Sequence, residues 1–143
     1  MGVTMEIHTM SFRKTVSFIS AACLICLTVA YAEFSIPSGE IDNNEIFFGS
    51  PTSFSNPAEV DVEAVIKATP EHKEIKKKKI DRGTGRYWIL HSNATNRAHR
   101  AIRDYAENSG YDLVANIDYL GSLTVPIAAD DVTKAIKKLA SDD

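Results

Sequence analysis

What this chain can fold into is limited first by its opening third. Arg13 and Lys14 are followed by an uncharged, mostly apolar run from Thr15 to Val29 and then by Ala30-Tyr31-Ala32. A basic start, an apolar centre and a small-x-small end are the three parts of a cleavable secretory signal. The run is shorter than the roughly 20 apolar residues that span a bilayer. The expectation is therefore a signal from Met10 to Ala32, cleaved after Ala32, and a periplasmic or secreted product. Taking residues 1–32 from 143 leaves 111, enough for one domain with a modest core. Both cysteines, Cys23 and Cys26, lie inside the signal. The exported part would live where disulfides form, yet have neither a disulfide nor a thiolate metal ligand.

Charge along those 111 residues is segregated. Glu33 to Ile66 holds seven acids and no Lys or Arg; Lys67 to Arg103 holds eleven bases against three acids, a net of +8; Asp104 to Asp143 is −5. A basic middle between acidic ends implies a surface for an anionic partner.

Residues 33–58 read as a mostly irregular leader, rich in Ser, Asn and Gly and punctuated by Pro37, Pro51 and Pro57; Ile46-Phe47-Phe48 and Phe54 are apolar enough to dock. The domain proper is expected over 59–143. Val60 and Val62 alternate with acids as in a short strand. Helix follows at Val65, Ile66 and Ala68, restarts after Thr69 with Pro70-Glu71, and runs to Ile80. Gly83-Thr84-Gly85 breaks it. From Arg86 to Asn108, Tyr87, Leu90, Ala94, Ala98, Ile102 and Tyr105 fall in steps of three and four, one face of a helix stopped by Gly110. Two helices joined this closely form a hairpin. Tyr111 to Asp118 alternates as a strand, with Val114 interrupting its polar face. Tyr119-Leu120 and Leu123 to Val125 read as further strands, and Asp130 to Ala140 as a last helix. The class is α+β: a short N-terminal strand, a helical hairpin, two or three further strands in a small sheet, and a C-terminal helix.

Val60-Asp61-Val62-Glu63-Ala64-Val65 with Thr69-Pro70-Glu71, then Ala101-Ile102 and Gly110-Tyr111-Asp112-Leu113-Val114, then Asp130-Asp131-Val132-Thr133-Lys134-Ala135-Ile136, resemble successive blocks of the Skp/OmpH family of periplasmic chaperones. The resemblance covers about Glu59 to Leu139. It implies a homotrimer whose strands form a central body and whose helical arms hold unfolded outer-membrane proteins. Only Glu71 to Ser109 separates the blocks, so the arms here are much shortened; a helix of about 20 residues reaches only about 30 Å.

The candidate partner-binding residues are the basic ones: Lys73, Lys76, Lys77, Lys78, Lys79, Arg82, Arg86, Arg97, Arg100 and Arg103. As a bland alternative they form a solvated helix face. As a site they would meet unfolded or envelope protein, anionic lipid or lipopolysaccharide. Nucleic acid is set aside, because the chain is exported and no aromatics interleave with the lysines. His72, His91 and His99 lack the i, i+4 spacing of a zinc pair and read as surface or cap residues. His91-Ser92 points two ways on a helix and has no nucleophile elbow. Asp130-Asp131 suits a helix start, and Gly83-x-Gly85 lacks the Lys-Ser/Thr of a phosphate loop. Asn93-Ala94-Thr95, a glycosylation triplet, sits mid-helix. Trp88 and Ile89 widen the apolar stripe of Arg86 to Asn108 near its start; Tyr87, Trp88 and Tyr105 are expected to pack in the hairpin or on the sheet, the alternative being an exposed aromatic strip that grips apolar client segments. No catalytic set, cofactor or metal is indicated. The reading is a non-catalytic, chaperone-like holdase; the alternative is a structural subunit of the cell envelope without client-holding activity.

Overall fold

A computed structural model of the chain describes residues 33–142. The expected signal, Met10 to Ala32, lies outside the described residues. Four strands and four helices follow in the order β1 (Ile46–Gly49), β2 (Pro57–Val60), α1 (Val62–Ala68), α2 (Pro70–Lys77), α3 (Gly85–Ser109), β3 (Leu113–Asn116), β4 (Asp130–Asp131) and α4 (Thr133–Ser141). The strands make one sheet in the order β1-β3-β2-β4. β2 runs parallel to both β3 and β4, and β1 is antiparallel to β3. Parallel neighbours need a long crossover, and α1 to α3 supply the one between β2 and β3. The fold is α+β, a small mixed sheet with a C-terminal helix, as the residue pattern implied.

Both faces of the sheet are covered. Ala58, Val60 and Val114 face the helices and join Val65, Ala98, Ile102, Val132 and Ile136 in one core. Leu113 and Ala115 face the other way, into a second core with Ile36, Phe54, Leu120, Leu123 and Ile127. This is why Val114 breaks the alternation: β3 is central and fully buried, and a strand buried on both faces reads as a continuous apolar run.

Residues 33–58 are mostly without regular structure, but they are built into the fold. They supply β1, whose Phe47 is bulged out of the pairing with β3. Phe34 and Phe54 exchange backbone hydrogen bonds, and Phe54 is 2% exposed. The Asp112 carboxylate accepts bonds from the Ser55 N–H, the Ser55 hydroxyl and the Asn56 N–H at 2.7–2.8 Å. Gly49 has φ +88°, and a Cβ there would collide with the carbonyl oxygen of Asp112. The segment fits only because glycine stands at that point.

The helix signals hold closely. Asp61 caps α1, Thr69 caps α2 with Pro70 next to it, Thr84 caps α3, and Gly110 ends α3 at φ +75°. The strand read at Val60 and Val62 ends at Val60, because Asp61 caps α1 and Val62 opens it; two other strand expectations fail outright. Tyr119-Leu120 and Leu123–Val125 form a turn, a 3-10 turn at Leu120–Ser122 and irregular chain. Here Leu120 and Leu123 serve as plugs for the second core, and the Leu120 N–H is taken by the Glu59 carboxylate at 2.9 Å rather than by a strand. Asp130 and Asp131, expected inside the last helix, instead form β4; the Asp131 carboxylate then accepts from the Thr133 N–H and starts α4.

Candidate binding surface on the helical hairpin

α2 and α3 pack antiparallel, joined through Lys78–Thr84. Ile75 of α2 is buried, and Ala94 and Ala98 of α3 are fully so; small side chains let the two backbones approach. Two ion pairs cross the seam. Arg97 meets Glu71 through both Nε (2.9 and 3.1 Å to the two carboxylate oxygens) and its terminal amine (2.9 Å). Nearer the turn, Glu74 receives Arg86 at 2.7 Å and Lys78 at 2.9 Å. Hydrogen bonds from Lys78 and Arg86 hold the Glu74 carboxyl below its ordinary pKa.

The turn itself is tightly specified. Ile80 N–H bonds the Ile75 carbonyl, Lys79 N–H bonds that of Lys76, and Lys79 sits at φ +49°. These bonds make a Schellman stop with lysine at the position glycine usually takes. Asp81 then accepts from the Gly83 N–H, and Thr84 opens α3. Both carboxylates near the turn, Glu74 and Asp81, are thus engaged.

The ten basic residues divide. Lys73, Lys76 and Lys77 on α2, Lys78, Lys79 and Arg82 in the connection, and Arg86 at the start of α3 gather at the closed end of the hairpin. All seven are exposed. Arg97, Arg100 and Arg103 lie further along α3, Arg103 about 25 Å from Arg86 at 1.5 Å per residue. Arg97 is half-buried in its pair with Glu71 and ties the helices together. Among the described residues no salt bridge engages Lys76, Lys77, Lys79 or Arg82. Lys73, Arg100 and Arg103 likewise have no salt bridge; Lys76, Lys77, Lys79 and Arg82 are the unpaired bases grouped about the turn.

Beside them lie two side chains that the residue pattern placed on the buried stripe. Trp88 is 60% exposed and Ile89 64%, against the expectation that Trp88 packs inside. Its ring meets Tyr87 edge-on at 5.3 Å and His91 at 6.2 Å; Tyr87 and His91 stack at 5.8 Å, and the Arg82 guanidinium lies 6.0 Å from the Tyr87 ring centre. Tyr105 does pack, against Tyr111. The signal for Trp88 was available. The core stripe passes through Leu90, and Trp88 is two residues, about 200°, away from it.

Under this end, both nitrogens of His72 and Nδ1 of His91 are buried without hydrogen-bond partners. Burial first, then the charges of Lys76, His91 and Lys67, lower the His72 pKa below its ordinary 6.5. At the other end of α3, Tyr105, Tyr111, Asp130, Lys134 and Lys138 line an open cleft of about 630 Å³, in which the Tyr111 hydroxyl donates to Asp130 at 3.1 Å. Among the described residues, no three His, Cys, Asp or Glu side chains gather to hold a metal ion.

The hairpin end therefore offers charge and apolar area on an exposed scaffold. No family model matches the sequence, and no curated protein or solved structure matches it.

Proposed function

We propose that the chain is exported, released after Ala32, and acts as a non-catalytic, chaperone-like holdase for unfolded outer-membrane or envelope proteins. Its assembly, on the family resemblance, is a homotrimer. The observation that carries the reading is the uncompensated positive charge of Lys76, Lys77, Lys79 and Arg82 at the exposed end of a hairpin. Exposed charges act over roughly 8 Å at physiological ionic strength, so a grip of this kind acts at contact and weakens with salt.

A second reading, a structural subunit of the envelope without client-holding activity, is favoured by the length of α2. Its eight residues reach only about 12 Å, too little for a deep cage. The two readings part in one experiment. The protein should slow aggregation of an acidic, denatured outer-membrane protein at low salt and do so less well near 0.5 M. Lys76→Glu, Lys77→Glu and Lys79→Glu together should abolish the effect with helix content nearly unchanged, since Lys and Glu have similar helix propensity. Lys78 is left in place because it pairs with Glu74. Equal protection by the triple variant would reduce the basic end to a solvated face. No protection at any salt would favour the structural subunit.

A further inference from the structure

Resting on that reading of the hairpin end, we propose that Trp88 and Ile89 are its apolar anchor. The segments it takes are short and extended, with one or two bulky apolar side chains flanked by carboxylates.

A lone exposed aliphatic is ordinary; a tryptophan and an isoleucine adjacent in sequence, both more than half exposed, at the same end of the hairpin as Lys76, Lys77, Lys79 and Arg82, which have no salt bridge among the described residues, place apolar area beside unpaired positive charge. Such a layout is that of a binding hot spot, where aromatic anchors are enriched. Trp88 is also held in place: the edge contacts with Tyr87 and His91 fix its ring from one side and leave the other to solvent. A pre-positioned side chain loses less freedom on binding.

Charge selects the flanks. Glu74 is paired with Lys78 and Arg86, and Asp81, which accepts from the Gly83 N–H, is the one other carboxylate at the turn against four unpaired bases. Lys76, Lys77, Lys79 and Arg82 are left to face whatever docks. A carboxylate-bearing segment gains from them, and a lysine-bearing one is repelled.

Helix periodicity decides between a polypeptide and a membrane. One turn on from Trp88 is Ser92, and one turn on from Ile89 is Asn93; both are polar and exposed. The exposed apolar face is a single turn long, about 5.4 Å. Helices that lie in a bilayer surface carry that face over many turns. The patch matches the side chains of one or two residues.

Trp88 is the only tryptophan in the chain, so its emission reports on this site alone. Three peptides of equal length serve as probes: Phe-Leu flanked by Glu on both sides, Ser-Ser with the same flanks, and Phe-Leu flanked by Lys. The first should shift the emission to the blue and saturate. The other two should bind at least about tenfold more weakly, as should the first peptide, labelled and followed by anisotropy, to Trp88→Ala or Ile89→Ser. Circular dichroism of the variants should match the parent, since both side chains are exposed. Equal binding of the Ser-Ser peptide, or unchanged affinity in both variants, overturns the anchor. A larger shift with phosphatidylglycerol vesicles than with any peptide overturns it in favour of a membrane surface. The aggregation assay separates this from the holdase reading. Client protection unaffected by Trp88→Ala sinks the anchor and leaves the holdase; peptide capture at Trp88 without client protection does the reverse.

Discussion

At the scale of single residues, two helix ends use one motif with different residues. α3 stops at Gly110 with φ +75°, and α2 at Lys79 with φ +49°. In both, the next residue's N–H reaches back to close the turn, Tyr111 to Ala106 and Ile80 to Ile75. A lysine in the left-handed region costs about 1 kcal/mol that glycine does not. Lys79→Gly should therefore raise the unfolding free energy by up to about 1 kcal/mol in urea titration, a small gain because glycine also frees the unfolded chain. That a lysine persists in such a place agrees with a use for its charge. His72 makes a second prediction. Its pKa is lowered on folding, so the unfolded chain takes the proton more readily. Stability is complete above about pH 6.5 and declines as pH falls through that value toward the folded pKa. His72→Leu should flatten the decline measured between pH 7.5 and 5. The depressed carboxyls titrate below that window: Glu74, held by Lys78 and Arg86, loses its contribution as pH falls below about 4.5, and Asp112, pushed up by burial but held low overall by Ser55 and Asn56, and Asp131, held by Thr133, as it falls below about 3.8. An unchanged slope in the variant would place the titrating group elsewhere.

At the scale of elements, the two ion pairs across the hairpin should differ in weight. Arg86 is 61% exposed and Glu74 34% in their side chains, and pairs so open to solvent contribute about 0–1 kcal/mol. Arg97 and Glu71 are 24% and 17% exposed in their side chains and meet through three close contacts. Arg97→Ala strands a half-buried carboxylate, at roughly 1–3 kcal/mol. Thermal melts of the two alanine variants should rank in that order. Arg97 was grouped with the partner-binding bases because composition counts charge without locating its partner, 26 positions away. The helices themselves were legible. Thr69-Pro70, Thr84 and Gly110 are local signals, and each marks a real boundary. Leu120 to Val125 was not. A short apolar run has no period of its own, and its role as a plug is set by the sheet face above it. Trp88 lay between these cases: helical angle alone removes it from the core stripe, but the habit of burying tryptophan overrode the geometry.

At the scale of the molecule, the described chain has three layers: helices, sheet, and a cover over the sheet's second face to which residues 33–56, which also supply β1, contribute Ile36 and Phe54 beside Leu120, Leu123 and Ile127. The irregularity of residues 33–56 was legible from Pro, Ser and Asn; their place in the core was not, because contacts such as Phe54 with the far side of β3 join residues nearly sixty apart and leave no mark in local sequence. The segment carries energy out of proportion to its regularity. Phe54 and Ile36 are almost fully buried, and each contributes about 2–3 kcal/mol by transfer from water. Losing both, roughly 5 kcal/mol, matches the lower end of a whole small domain's stability. Removal also strips β1 from β3 and uncovers Leu113 and Ala115. A chain lacking residues 33–56 should thus fail to unfold cooperatively in urea and should bind a hydrophobic dye that the intact protein excludes. Phe54→Ala alone should cost about 3–5 kcal/mol and leave a weakened but cooperative transition. A truncated chain with a sharp transition near the parent's midpoint would show that 57–142 folds without residues 33–56, and would return those residues to the status of a leader.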